Sequence, residues 1–365
     1  MGHIVWFEHY TSAHRCAVGG KNASLGELTC AGLPVPPGFA VTATAYAEAR
    51  DAAGLTGELA DLVTAADPDR PQTVAETGRA ARALVASMPL PDSLDAEVRE
   101  AYAALAARCS ASDVPVAVRS SATCEDLPDA SFAGEHDSYL WVRGADGVLS
   151  HLRKCWASLF TDRAICYRRQ LGYPELGLAM SVVVQKMVQP RAAGVAFTLN
   201  PRDGDRSQVA IDASWGFGEA VVSGEVNPDN FLVDKVIGEV GQRVVSHKEI
   251  EYRLTGADRV ERAAVEAARQ DAPSLTDEEI KAVAALARQA EKHYGCPQDV
   301  EWAVEESPAG AGAGCSVLLL QSRPETVWSR KPPRPVARAG GSYMDSIVST
   351  LVAPLHGARH PGDGH

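Results

Sequence analysis

The sequence predicts an α+β protein of two lobes. Three observations carry this. Residues 41–108 are alanine-rich with apolar residues at helical spacing. From Val114 the texture changes to short apolar runs that alternate with helical stretches. Near the end, two strand-like runs flank the glycine-alanine segment PAGAGAG, as a hairpin requires. Helices first and mixed strands and helices afterwards is the pattern of an α+β chain.

The elements follow in order. KNASLGELTCA (21–31) reads as a short helix stopped by Gly32 and the proline-rich VPPGF. Residues 41–108 read as three or four short helices. VPVAVRSS from Val114 reads as a buried strand, followed by a polar, glycine-containing loop through Gly134 and a helix over 147–170. SVVVQKMV (181–188), GVAFTLN (194–200), QVAIDAS (208–214) and NFLVDK (230–235) read as strands. Thr276 with Glu279 forms a capping box, opening a helix that Gly295 stops after Tyr294. DVEWAVE (299–305) and SVLLLQSR (316–323) are the hairpin strands. Beyond Arg330, KPPRPVARAGG reads as a linker, and the last 25 residues show no period. The expected division is a first lobe over 1–190, a second over 191–330, and a tail over 331–365.

Composition narrows the function. Apolar residues make up 45% of the 365 positions and charged residues 22%, as in soluble globular proteins. A formal charge of -12 argues against nucleic acid or a membrane surface as the main ligand, since both call for basic patches. None of the eight cysteines falls in a C-x-x-C pair, which argues against zinc and thioredoxin-like sites. With no signal-like start and no run approaching the ~18 apolar residues of a membrane span, a reduced, cytoplasmic protein is expected.

The common nucleotide signatures fail. Gly20-Lys21 ends like a phosphate loop, but Arg15 stands where that motif needs glycine and Asn22 where it needs Ser or Thr. Gly216-Phe217-Gly218 begins a dinucleotide fingerprint, but Val221 takes the third glycine position. Strand parity says more. Alternation puts Gln321 and Arg323 on one face of the last strand with Val317 and Leu319, and Glu301 with Asp299, Ala303 and Glu305 opposite Val300, Trp302 and Val304. A carboxylate and an amide oxygen on neighbouring strands suit Mg²⁺ carrying phosphates, or else form a polar face with one ion pair. Arg119, closing the run VPVAV, fits a buried ion pair or a phosphate clamp. The small residues after it can bring N–H groups to phosphate oxygens or simply turn the chain. Lys21, after two glycines where a helix begins, suits an anion or solvent.

Taken together, these pieces resemble a family. GGKNASLGEL, PVPPGFAVTATAY and VAVRSSATCEDLPDASFAGEHDSYL are similar to the N-terminal region of phosphoenolpyruvate synthases and pyruvate phosphate dikinases. WASLFTDRAICYR, VVVQKMV, GVAFTLNP, WGFGEAVVSGEVNPDNF, DVEWAVE and LLLQSRPETVWSR continue in the family's order, covering roughly residues 10–330. Rifampicin phosphotransferases share this region. The resemblance implies an ATP-grasp-like fold with ATP between the lobes. It implies that Lys21 and Arg119 hold the triphosphate, with Gly134 and its loop (119–134) covering it and Ser138 among the nucleotide contacts. Gln185, Met187 and Val188 would form the hinge against adenine. Glu301 and Gln321 would bind Mg²⁺, and Arg323 would meet the β- and γ-phosphates. Lys21, Arg119 and Arg323 are the catalytic candidates.

The family continues into a swivelling domain with a phosphorylated histidine and a barrel for pyruvate or phosphoenolpyruvate. His356 and His360, in PLHGARHPG, do not resemble that histidine segment. The resemblance therefore implies a donor subunit like the ATP-binding subunit of phenylphosphate synthase. It would pass a diphosphoryl group from ATP to a histidine on a partner chain that also carries the acceptor site. A stand-alone kinase of a small hydroxyl compound and a non-catalytic nucleotide-sensing module are the competing readings.

Overall fold

Chain order begins with β1 (Ile4–Trp6), two 3-10 turns (Phe7–His9 and Ser12–His14), α1 (Arg15–Cys30) and β2 (Gly38–Val41). Four helices follow: α2 (Ala43–Ala52), α3 (Thr56–Ala65), α4 (Pro71–Ala86) and α5 (Asp92–Arg108). Next come β3 (Val116–Ala122), β4 (Ser138–Val142), α6 (Ala145–Ala157), a 3-10 turn (Ser158–Phe160), α7 (Asp162–Leu171) and β5 (Met180–Lys186). The remainder is β6 (Pro190–Phe197), β7 (Gln208–Trp215), α8 (Glu219–Val222), β8 (Asp229–Asp234), β9 (Val240–Val244), β10 (Ile250–Thr255) and β11 (Arg259–Ala264). It closes with α9 (Ala267–Gln270), α10 (Asp277–Tyr294), β12 (Gln298–Glu305) and β13 (Val317–Pro324). This computed structural model describes residues 2–122, 138–171, 180–256, 259–305 and 316–328, with side chains of 122 and 167–171 excepted. Met1–Glu325 form one compact unit, and Thr326–His365 are a second.

The α+β class holds. The strands before Met187 form a five-stranded antiparallel sheet, ordered β1-β2-β5-β3-β4. Those after Val188 form a six-stranded antiparallel sheet, β13-β12-β6-β7-β8-β9, while β10 and β11 make a separate hairpin. Each sheet buries one face under helices. Val116, Val118, Val182 and Val184 pack against the helices of 43–108 and α6. On α4, Val74, Gly78, Ala81 and Val85 recur every three or four residues, so one stripe of that helix is buried. Ile280, Val283, Ala284 and Ala287 of α10 cover Ile211, Phe231, Trp302 and Leu319 of the second sheet. The expected capping box holds α10: Thr276 and Glu279 satisfy each other's backbone N–H groups, and Gly295 ends the helix in the left-handed region.

Several elements depart from the sequence reading. β1, β2, β4, β9, β10 and β11 were not expected; β9 is exposed over most of its length, so it lacks a buried alternation to detect. The helix expected over 147–170 is two, α6 and α7, parted by the Ser158–Phe160 turn. β5 ends at Lys186, so Met187 and Val188 lie in the crossover between sheets rather than in a strand. β6 starts at Pro190, tolerated because a first residue need not donate to a ladder. α1 starts at Arg15, not Lys21, and breaks at Gly19, whose φ of 72° and ψ of 170° interrupt the helix. PAGAGAG, Gly134 and the tail lie outside the described residues.

The edge strand β1 is fastened by His3. Its Nδ1 lies 3.1 Å from Glu97 of α5 and its Nε2 2.8 Å from Glu48 of α2. Burial alone would lower the imidazole pKa, but the Glu48 hydrogen bond and the charges of both glutamates outweigh it, and the net shift is upward. The folded state therefore binds the proton more tightly than the unfolded chain. The stabilisation is complete below the ordinary histidine range and is lost as pH rises through the raised value. His3→Gln should lower the melting temperature at pH 6 and have little effect at pH 8.5, measured by thermal unfolding across pH.

Candidate functional site

The site is built on one face of β3. Ala117, Arg119 and Ser121 alternate onto the face opposite the helical core, spanning ~13 Å of strand. Their surroundings change along that length. Ala117 packs with Trp141, Met187 and Phe217, an apolar wall in which the Trp141 and Phe217 rings meet edge-on at 6.1 Å. Arg119 is next, and its Nε is buried without a hydrogen-bond partner among the described residues. Ser121 lies against the restart of α1: it donates to the Val18 carbonyl at 3.1 Å and accepts from the Asn22 N–H at 3.4 Å. One face thus runs from apolar to cationic to the N-terminal end of a helical segment. That end carries partial positive charge, and Lys21 sits in its first turn.

Gly19 makes that end possible. Its left-handed φ breaks α1, and the segment from Gly20 to Cys30 restarts at a new angle. Asn22 fixes the restart by donating through Nδ2 to the Val18 carbonyl at 3.0 Å and to Ser181 Oγ at 2.9 Å. Asn22 was read only as a failure of the phosphate-loop motif; its actual task is to seat α1 on β3 and β5.

α1 also reaches the second sheet. Ser24 Oγ donates to the Ser322 carbonyl of β13 at 2.9 Å. Ser322 stands between Gln321 and Arg323. On β12 and β13, Glu301 faces Gln321 and Asp299 faces Arg323 across the ladder. Cross-strand partners point to the same side, so all four share a face. The expected parity of β13 is overturned here. A β-bulge between Glu301 and Trp302 shifts the register, pairing Trp302 with Leu319 and Ala303 with Leu318. Val317 and Leu319 therefore join the α10 core, and Leu318 and Leu320 lie with Val188, Ala193 and Ala303. An extra residue in one strand of a pair flips every side chain beyond it.

The donor set fits a hard cation. Glu301 and Gln321 supply one carboxylate and one amide oxygen in register. Asp299, two residues from Glu301 on the same face, is the group that sequence reasoning passed over; its signal was the i, i+2 spacing itself. Its Oδ2 accepts from Arg323 Nε at 3.3 Å, while its Oδ1 is buried without a hydrogen-bond partner among the described residues. Burial raises the Asp299 pKa to about 6, against the lowering effect of Arg323 and with a further raise from Glu325. Among the described residues no three His, Cys, Asp or Glu side chains converge on one point. A cation here would need oxygens from a ligand as well, as phosphate-bound Mg²⁺ does.

Of the remaining expected residues, Ser138 lies opposite Arg119 at the start of β4 and is exposed. Gln185 is buried on β5, and its side-chain amide donates to the Pro36 carbonyl at 3.2 Å, so that amide is structural. Met187 N–H donates to the Pro115 carbonyl at 2.9 Å and is not available to a purine. Gly134 lies outside the described residues.

Asp299 gives a pH signature. Because its folded pKa lies above the ordinary carboxylate value, its ionisation opposes folding. The cost is absent below pH ~4 and complete above pH ~6.5, and by the usual conversion it is on the order of 3 kcal/mol. Asp299→Asn should raise the stability of the nucleotide-free protein at pH 7.5 and leave it unchanged at pH 4, measured by denaturant unfolding.

Comparison with known proteins places the sequence in a family. Residues 16–340 match the family described as pyruvate phosphate dikinase, AMP/ATP-binding domain. The chain is 42% identical to the probable phosphoenolpyruvate synthase of Staphylothermus marinus over 89% of its own length and 41% of that protein's. It is 39% identical to the phosphoenolpyruvate synthase of Pyrococcus furiosus over 88% of its own length and 44% of that protein's. It is 40% identical to a rifampicin phosphotransferase of a Streptomyces species over 91% of its own length and 37% of that protein's. The chain thus spans less than half the length of these relatives. With the match covering the β3 face, α1 and both hairpin strands, the chain belongs to the pyruvate phosphate dikinase AMP/ATP-binding family.

Proposed function

We propose that this chain binds ATP with Mg²⁺ and donates a diphosphoryl group to a histidine on a partner chain. The observation that carries the reading is the graded face of β3, apolar at Ala117, cationic at Arg119 and helix-capped at Ser121, with α1 hydrogen-bonded to the strand of Gln321 and Arg323. A nucleoside triphosphate has the same polarity from base to phosphate.

In this reading the base lies against Trp141, Met187 and Phe217. Arg119 and Lys21 balance phosphate charge from the first sheet, and Arg323 does so from the second. Glu301 and Gln321 hold the cation, which when bound lowers the charge presented to a nucleophile. Asp299 orients the Arg323 guanidinium through Nε, leaving its terminal nitrogens to meet phosphate oxygens. The residues position and neutralise, which is the main demand of phosphoryl transfer, and no general base is assigned. The partner histidine attacks the β-phosphorus, the bond from that phosphorus to the α-phosphate oxygen breaks, and AMP leaves. Relatives named for phosphoenolpyruvate and for rifampicin share this region, which supports assigning the choice of final acceptor to sites elsewhere.

Two measurements test this. Calorimetric titration should show ATP binding that strengthens with Mg²⁺, and Glu301→Gln should raise the Mg²⁺ needed by about tenfold. Given a histidine-bearing partner domain of a relative, the wild-type chain should form AMP, and Arg323→Ala should cut that rate by about a hundredfold or more while the chain stays folded, with a modest fall in melting temperature because Asp299 loses its partner. AMP or ADP formed from ATP with no partner present would favour a stand-alone kinase. Tight ATP binding with no transfer to any partner would favour a sensing module.

A further inference from the structure

The Ser24 contact joins parts of the chain 298 residues apart in sequence. Ser24 is one turn beyond Lys21 on α1. Its hydroxyl donates to the carbonyl of Ser322, the residue between Gln321 and Arg323. The hydroxyl of Tyr294, the last residue of α10, lies 3.1 Å from Ser24 Oγ and donates to it. Ser322 Oγ in turn donates to Gln298 Oε1 at 2.9 Å, and the Gln298 N–H donates to Thr198 Oγ1 at 2.7 Å. Gln298 is buried and adjacent to Asp299. Hydroxyls and an amide thus connect α1, α10, β12 and β13 at the end of the second sheet where the candidate ligands sit.

We infer that Ser24 is a positioning residue that sets the spacing between the cationic start of α1 and the Gln321–Arg323 strand, and so selects triphosphate over monophosphate. The inference rests on the proposed nucleotide reading. Its physical basis is division of labour. A monophosphate needs the apolar wall, to which the β7–α8 turn contributes Phe217, and the cations Arg119 and Lys21, none of which stands on β12 or β13. A triphosphate reaches across to Arg323, Glu301 and Gln321, so its affinity depends on how α1 is registered against β13. Of the described α1 side-chain contacts to β13, the Ser24 hydroxyl bonds to the backbone itself, at the residue between two candidate ligands.

Ser24→Ala removes the donor with almost no change in volume. Loss of one such hydrogen bond is expected to weaken ATP binding by roughly three- to tenfold, the usual range for a bond of this kind. AMP affinity should stay the same, and Ser24→Thr, which restores the hydroxyl, should recover ATP affinity. Tyr294→Phe should give a smaller loss with the same ATP-only pattern, and it keeps the inference testable if Ser24→Ala does not fold. The experiment is calorimetric titration of wild type and the three variants with AMP, and with ATP plus Mg²⁺. Equal losses for AMP and ATP, or none for either, in the folded variants would overturn the positioning role while leaving the nucleotide site standing. Failure of the wild type to bind ATP would instead remove the reading on which it rests.

Discussion

Everything in the site depends on one helix that is hydrogen-bonded to two sheets at once. α1 is tied to the first by Asn22, through Ser121 and Ser181, and to the second by Ser24, through the Ser322 carbonyl. Two residues on one helical segment therefore help to fix the distance between the two antiparallel sheets, alongside the proline-rich segment 34–37, whose carbonyls accept from both. Neither contact is strong, since a single hydrogen bond contributes only about 1 kcal/mol net. Their value is geometric. Each bond ends on buried backbone or a buried serine, where slippage would leave a polar group unpaired.

Part of this was legible from residue patterns alone. The capping box at Thr276, the glycine stop at Gly295 and the shared face of Glu301 with Asp299 all follow from local rules, and the structure has them. The parity of β13 was misread because alternation assumes an uninterrupted ladder, and the bulge opposite Glu301 breaks it. Nothing in LLLQSR announces a bulge. It belongs to the pairing of the two strands, a tertiary fact. Gln321 and Arg323 still fall beside Glu301 and Asp299 because the bulge lies on the apolar side of them. α1 was misread for a related reason. Gly19 and Gly20 look like a helix boundary, and Gly19 does break the helix, yet helical turns continue on both sides of it.

Arg119 shows the limits of reading a residue alone. Its position after an apolar run left ion pair and phosphate clamp equally open. Among the described residues its Nε has no hydrogen-bond partner, with Ser121 and the α1 restart on one side and the aromatic wall on the other. Trp141, part of that wall, holds a φ of 60°, a costly conformation for a bulky side chain. Such strain persists where packing over-determines it, and here Phe217 from the second sheet's β7–α8 turn supplies part of that packing.

The proline-rich segment between α1 and β2 has a consequence for loop length. The Pro34 carbonyl accepts from Leu319 N–H of β13, while the Pro37 carbonyl accepts from Lys186 N–H and the Pro36 carbonyl from the Gln185 amide of β5. Prolines contribute acceptors and no N–H, so this stretch cannot exchange these bonds for a ladder of its own. It behaves as a spacer of fixed residue count. A single insertion or deletion between Leu33 and Gly38 would put the acceptors out of step with donors on two sheets simultaneously, whereas substitutions that spare the carbonyl spacing would be absorbed.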